Sequence, residues 1–448
     1  MHEGNLKRAV QNVADTRLRG LDRLVLRDTP TDSEINYASL RRYVDLAIDR
    51  VKGDKTPGFP LNLTYANNYM ALEAEREEIA LTAVARLHLW LTNEVVGPVG
   101  ENPMAYALLG MCDPSSVFIK KEPHPSRKFQ KKQFRSINPV SLPDQIVESV
   151  LFTEPAKRLR EGLFYNGSAV GISFTDKGNK EFCDFLINAE KRFGSVISDD
   201  ISGFDARHNV QILEATAYLD QITFSSPDGL EHWNCANRNW VRFTANSLAV
   251  IDGTVYGKVT PGMINSGSKD TSRRNTALRC IYTHYFALCS GQEATHVTAN
   301  GDDGLAWGID DEKSYFRAAE EHGVPLRDLH RGMKDLPFCS HQYDPERAIA
   351  TLSSWPKFTY AIISQSSKTR DDAEQALCEA RYNAEYSSLC AAVKAMKFPD
   401  DDEFGQGEEL LMDVEPTHFD LEDPFGFGQG GFDLPYDSDL DLDEPFGM

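Results

Sequence analysis

Asn300-Gly301-Asp302-Asp303 decides how this 448-residue chain is read. The flanking runs, Thr295 to Ala299 and Gly304 to Trp307, have the character of short strands, so the four residues form the tip of a hairpin. Adjacent carboxylates at a tight turn repel, and one of them is driven toward its protonated form. That is poor for folding. It is good for holding two divalent cations roughly 3.5–4 Å apart, the geometry of two-metal phosphoryl transfer.

A second acidic segment lies about a hundred residues upstream. Ser195 to Ser198 reads as a strand running into Asp199-Asp200, and Asp200-Ile201-Ser202-Gly203-Phe204-Asp205 follows. Gly203 permits a sharp turn that returns Asp205 toward Asp200. Alone, this is equally a surface turn with two capping aspartates. Ser266-Gly267 stands between the two acidic segments and leads into a polar helix carrying Thr271 and Asn275. These two are i, i+4 and share a helix face, where an amide and a hydroxyl suit a sugar hydroxyl. Gly267 lets the backbone bend close to a ligand. An ordinary helix start capped by Ser266 or Ser268 explains the same residues. Order and spacing together favour a joint site over three separate accidents.

Composition narrows the class. The chain is 41% hydrophobic and 26% charged, as globular proteins are. No run approaches 18 apolar residues, and the N-terminus lacks a signal-peptide pattern. The eight cysteines are scattered without a C-x-x-C pair, which argues against a zinc site or a disulfide framework. The net charge of −21 is concentrated: residues 400–448 hold 17 Asp or Glu and no Lys or Arg, so the remainder carries only −4. Lys120 to Arg135 holds seven basic residues against one Glu, which suits an anionic ligand in a local groove. Helices are expected over Ser33 to Val51, Tyr69 to Thr92, Pro143 to Leu163, Asn209 to Gln221, Thr271 to Leu288, Asp311 to His322 and Asp371 to Lys397. Val255 to Val259 is expected to be extended. The acidic tail should be disordered and repeats Asp/Glu-Pro-Phe-Gly, at 423–426 and 444–447.

The three chemistry-bearing segments resemble motifs A, B and C of viral RNA-dependent RNA polymerases. Phe118-Ile119-Lys120-Lys121-Glu122-Pro123-His124 and Arg135-Ser136-Ile137-Asn138-Pro139-Val140-Ser141-Leu142-Pro143-Asp144-Gln145 resemble motif F of the sobemovirus-like branch. Lys55-Thr56-Pro57-Gly58-Phe59-Pro60 is similar to motif G, and Phe338-Cys339-Ser340-His341 to motif E. The resemblance runs from about residue 55 to 343. Ser136 departs from it, standing where an apolar residue is usual, and so does the basic pair Arg273-Arg274.

The resemblance implies an α+β right-hand fold of fingers, palm and thumb, with an antiparallel palm sheet. It assigns 1–190 to fingers and N-terminal region, 191–215 to palm, 216–254 to a fingers insertion, 255–345 to palm, 346–398 to thumb and 399–448 to the acidic tail. It implies template-directed RNA synthesis with two Mg2+ ions, Mn2+ able to substitute. The metal positions are Asp200, Ile201, Asp302 and Asp303, with Lys334 as general acid and Arg327 and Arg331 competing for that role. Nucleotide contacts fall to Lys120, Lys121, Lys132, Arg135, Asp205, Ser266, Gly267, Thr271 and Asn275. The RNA template meets Pro57, Gly58 and Lys131, and Phe338, Cys339 and Ser340 form the primer grip. The implied partners are template RNA, the nascent strand, NTPs and a viral or host protein on the acidic tail. The expected location is the host cytoplasm, at membranes only through partners. A metal-dependent nuclease or phosphohydrolase would share the carboxylates, and a non-catalytic RNA-binding protein would share the basic segment.

Overall fold

A four-stranded antiparallel sheet lies at the centre: β1 (Val196–Ile201), β2 (His296–Asn300), β3 (Asp303–Trp307) and β4 (Leu326–Arg331), in the order β4-β1-β3-β2. The computed structural model describes residues 1–93, 103–120, 126, 130, 134–363 and 370–396. Side chains alternate across a strand, and both faces of this sheet are covered. Ile197, Ile201, Val297, Ala299 and Ala306 join the larger core on one face. Val196, Leu305 and Trp307 join a second core on the other, with Phe182, Phe185, Phe338 and Tyr343.

Eight helices matter for the site: α1 (Glu3–Leu18), α2 (Asn68–Thr92), α3 (Leu142–Arg160), α4 (Asp176–Phe193), α5 (Val210–Thr223), α6 (Glu231–Ala245), α7 (Thr271–Cys289) and α8 (Glu312–Glu321). α7 packs behind the sheet and is buried on nearly every side from Thr271 to Ala287. α1 and α5 pack on it, while α2, α3 and α6 form a neighbouring bundle. α3 begins where its sequence dictates: Ser141 accepts from the Asp144 N–H, and Pro143 sits in the first turn, where a missing N–H costs nothing. α4 covers the second face of the sheet, capped by Thr175 and stopped at Gly194, whose φ is 90°.

Several sequence expectations change. The single helix over Asp371 to Lys397 is two helices, Arg370–Leu377 and Tyr386–Ala395, around a short 3-10 turn. Asn383 accepts from the Leu352 N–H and donates to its C=O, and these bonds draw the chain out of helical register. Ala373, Leu377, Leu389 and Val393 then close a small core with Phe358. The extended piece at Val255 to Val259 ends at Tyr256, because Lys258 Nζ turns in to bond the carbonyls of Thr244 and Gly262. That strand pairs with Ala249–Ile251, so a division between 254 and 255 would cut a hairpin. Divisions at 190 and 345 likewise cut α4 and the hairpin of His341–Asp344 with Ile349–Leu352. The acidic tail lies outside the described residues.

Candidate active site

Two strands bring the acidic segments together. Gly304 of β3 pairs with Asp199 of β1, which brings Asp303, the residue before it, within electrostatic reach of Asp200. The turn is Gly301-Asp302; Gly301 takes a φ of 64°, which a residue without Cβ adopts freely. Period-two alternation puts Asp200 and Asp303 on one face and Asp199 and Gly304 on the other. The two adjacent aspartates of β1 therefore do different work. Asp199 points back into the core, where Arg279 of α7 pairs with it. Asp200 faces the hairpin tip.

The electrostatics are those of crowded carboxylates. Burial and the charges of Asp302 and Asp200 push the Asp303 carboxyl well above the ordinary range, against Arg279 and the Cys339 N–H. Burial and Asp302 likewise raise Asp200, and Arg327 opposes them. Arg327, paired with Asp200 in the β1–β4 ladder, donates from Nε to Asp200 Oδ2 at 2.7 Å. Among the described residues, no three His, Cys, Asp or Glu side chains are gathered into a ready metal cage. Mg2+ does not require one: one or two carboxylates suffice when substrate phosphates and water complete the shell. Hard oxygen donors whose mutual repulsion raises their own proton affinity fit such a cation.

A second pair joins the turn after β1 to α7. Asn275 Nδ2 donates to Asp205 Oδ1 at 3.2 Å, and Asn275 Oδ1 is buried without a partner. Buried acceptors are nearly always satisfied, so this atom awaits a donor. Arg135 is within electrostatic reach of Asp205.

Residues 202–354 match the family model described as viral RNA-directed RNA-polymerase. The chain is 27% identical over 378 residues to the replicase polyprotein P2AB of Southern bean mosaic virus, covering 83% of this chain and 38% of that protein. It is 29% identical over 268 residues to protein P1-P2 of potato leafroll virus, covering 57% of this chain and 23% of that one. The chain thus spans well under half the length of these relatives. The Sicinivirus 3Dpol RNA-dependent RNA polymerase superposes with a TM-score of 0.59 over 86% of this chain and 84% of that one, at 16% identity. The chain is thus similar to the viral RNA-directed RNA polymerases over residues 202–354 and shares their fold. In the terms of that fold, the central sheet is the palm.

The other candidate residues take varied places in this polymerase fold. Gly267 makes room for a neighbour: a Cβ there would stand 2.5 Å from Pro139 Cα. Ser266 Oγ accepts from the Asn138 N–H at 3.1 Å, so the loop before α7 is laced to the segment after Arg135. Thr271 spends its hydroxyl on the carbonyls of Asn265 and Ser268 and closes that loop. Pro57 and Gly58 dock on the start of α3: the Leu142 N–H donates to Pro57 O, and a Cβ on Gly58 would strike Val140 O at 2.3 Å. Phe338 is buried, and Cys339 and Ser340 form a turn with φ of 51° and 59° whose Cys339 Sγ accepts from Asn300 Nδ2 at 3.2 Å. This turn therefore lies against the acidic hairpin. His341 is a core residue: it stacks on Phe174, bonds Cys339 O through Nδ1, and burial holds its pKa near about 4. Ile201 is apolar and buried, so only its main-chain oxygen could meet a cation. Lys334 is exposed on the turn after β4. Lys120 donates its N–H to Arg135 O, while Lys121, Lys131 and Lys132 lie outside the described residues.

Sequence reasoning missed Arg279, Arg327's contact with Asp200, and Glu148. Glu148 of α3 accepts from Trp240 Nε1 and from the Lys269 N–H, both at 2.7 Å, and so holds the loop before α7. Burial raises its pKa from 4.5 to about 8. A carboxyl raised in the folded state stabilises below its unfolded pKa and loses that contribution as pH rises through the folded value. Between pH 4.5 and 8, Glu148→Gln should therefore lose less stability with rising pH than the parent protein. Urea unfolding across that range checks it, and parallel curves would refute it.

Proposed function

We propose that this chain carries out template-directed RNA synthesis, joining nucleotides from NTPs to a nascent strand on a viral RNA template. The observation that supports it most is the convergence of Asp200 with Asp302-Asp303, alongside the Asp205–Asn275 pair on the turn after β1 and on α7. Asp200, Asp302 and Asp303 would hold two Mg2+ ions, with Mn2+ able to substitute; bound there, the ions would supply activation of the primer 3′-hydroxyl and charge for the leaving pyrophosphate. Arg135 and the basic segment from Lys120 supply further positive charge for the triphosphate, Arg135 as a permanently charged fork. Lys334 keeps the general-acid role in this proposal, because a guanidinium such as that of Arg327 does not give up its proton.

Asp205 and Asn275 read the ribose. A 2′-hydroxyl can donate to the waiting Asn275 Oδ1, and a deoxyribonucleotide leaves that acceptor orphaned. Asn275→Ala should narrow the ratio of kcat/KM for ribo- over deoxyribonucleotides by about 10- to 100-fold. Single-nucleotide incorporation measures it; an unchanged ratio would remove both residues from the role.

The function itself is tested by incubating the chain with an RNA template, NTPs and Mg2+ or Mn2+. Template-length product supports the proposal. Shortening of the template would identify a nuclease, and binding without turnover an RNA-binding protein. Action in the host cytoplasm and a protein partner for the acidic tail complete the proposal.

A further inference from the structure

We propose that Arg279, assisted by Thr276, is a positioning residue that sets the spacing of the acidic hairpin against β1 and thereby the strength with which Asp200 and Asp302 take up a divalent cation. This rests on the polymerase reading above. Arg279 never touches the carboxylate face. It lies behind the sheet, 1% exposed, in the middle of α7. Its Nε donates to Asp302 O at 2.9 Å, its Nη2 to Asp199 O at 3.1 Å and to the Asp199 carboxylate, and its Nη1 to Thr283 Oγ1 at 2.7 Å.

One planar group thus ties together the residue before Asp200, the main chain of Asp302 and the helix that carries Asn275. Thr276 adds a second tie, accepting from the Gly301 N–H at 2.9 Å. The approach is close enough to require Gly304: a Cβ there would stand 2.5 Å from Arg279 Nε.

Two properties separate this arrangement from ordinary core packing. Two of the Arg279 bonds go to main-chain atoms, at the hairpin tip and at the end of β1, the two points whose separation fixes the carboxylates. The planar fork also fixes direction, which a lysine cannot reproduce with a single ammonium. Groups behind a metal's own ligands, when lost, commonly weaken metal affinity about 10- to 100-fold. α7 is itself immobilised at its first turn by the buried ion cluster of Asp220, Asp270, Arg273 and Arg274, so the strut has a rigid base.

The test uses the full chain without RNA or nucleotide and measures free Mn2+ by electron paramagnetic resonance during titration. Arg279→Lys should raise the Mn2+ dissociation constant about tenfold or more. Thr276→Val should raise it by a smaller factor, about threefold, as expected for one lost hydrogen bond. In synthesis assays, both variants should need more Mg2+ for half-maximal rate while the KM for the templated NTP changes little.

Thermal melting reports folding. If Arg279→Lys does not fold, Thr276→Val decides alone. Variants that fold and bind Mn2+ within twofold of the parent overturn the inference. So does full rescue by lysine, which would reduce Arg279 to a point charge. If the parent chain binds no Mn2+ at all, the polymerase reading fails, a result distinct from failure of the strut.

Discussion

Asp302→Asn is expected to lower the rate of RNA synthesis at least about a thousandfold, roughly 4 kcal/mol of lost transition-state stabilisation. The substitution keeps the shape of the turn and removes one negative charge, so the loss reports on the charge. It should have an opposite effect on the free protein. The Asp302 charge raises the carboxyls of both Asp200 and Asp303, a repulsion that folding has to overcome. Relief of that repulsion should leave the metal-free variant as stable as the parent or more so, with a Tm equal or higher by a few degrees, on the order of 1 kcal/mol. Primer extension and thermal melting in a chelator measure the two halves. A variant that keeps a tenth of parental synthesis would refute the proposed role of Asp302. A variant that loses both activity and stability would show that Asp302 serves the fold.

Asp220→Asn should give the largest loss of stability, about 3–5 kcal/mol. Asp220 lies in the core with Arg17, Arg273 and Arg274 around it, at 3.5, 2.8 and 2.9 Å. Burial favours its protonated form, but the surrounding guanidiniums outweigh that and hold its pKa at about 2. A carboxyl depressed in this way stabilises above its unfolded value of 3.8, and its contribution disappears as pH falls through about 2. The amide would leave Asp270 alone among three buried guanidiniums. Arg274 also lies over Trp240 at 4.7 Å and Phe152 at 5.5 Å, so the disturbance should spread into the helical bundle. Urea unfolding at neutral pH measures it, and a loss under 1 kcal/mol would show that the cluster is compensated from elsewhere.

The meeting of the two acidic segments is legible in the sequence because their chemistry leaves few alternatives. Acidic residues placed next to each other at a glycine turn are costly, and the local alternation of the flanking strands shows that the turn is a hairpin. Asn275 stands out in the sequence as a side-chain amide at a fixed distance from a Ser-Gly loop, and the structure pairs it with Asp205. The arginine partners of the carboxylates are not legible in this way. Arg279 reaches Asp199 across 80 residues, and Arg327 reaches Asp200 across 127. No local pattern encodes such pairings. Arg273 and Arg274 stood out only as a departure from the family pattern, and the structure explains them through Asp220, a residue in a different helix. Gly267 and Thr271 also serve the loop itself, one by admitting Pro139 and the other by bonding two carbonyls. Glycine and threonine satisfy either demand, and sequence alone does not separate the two. The broken C-terminal helix fails for another reason: Asn383 finds Leu352 only once the tertiary fold exists.

The strand order β4-β1-β3-β2 has a consequence for biosynthesis. β1 leaves the ribosome with neither neighbour made, and about a hundred residues must follow before β3 can pair with it. Until then its two edges are open and its apolar side chains lack cover, a state that invites association with other nascent chains or capture by a chaperone. Ribosomes stalled before β4 should therefore present an aggregation-prone intermediate, and the acidic cluster should assemble only after β3 has been made.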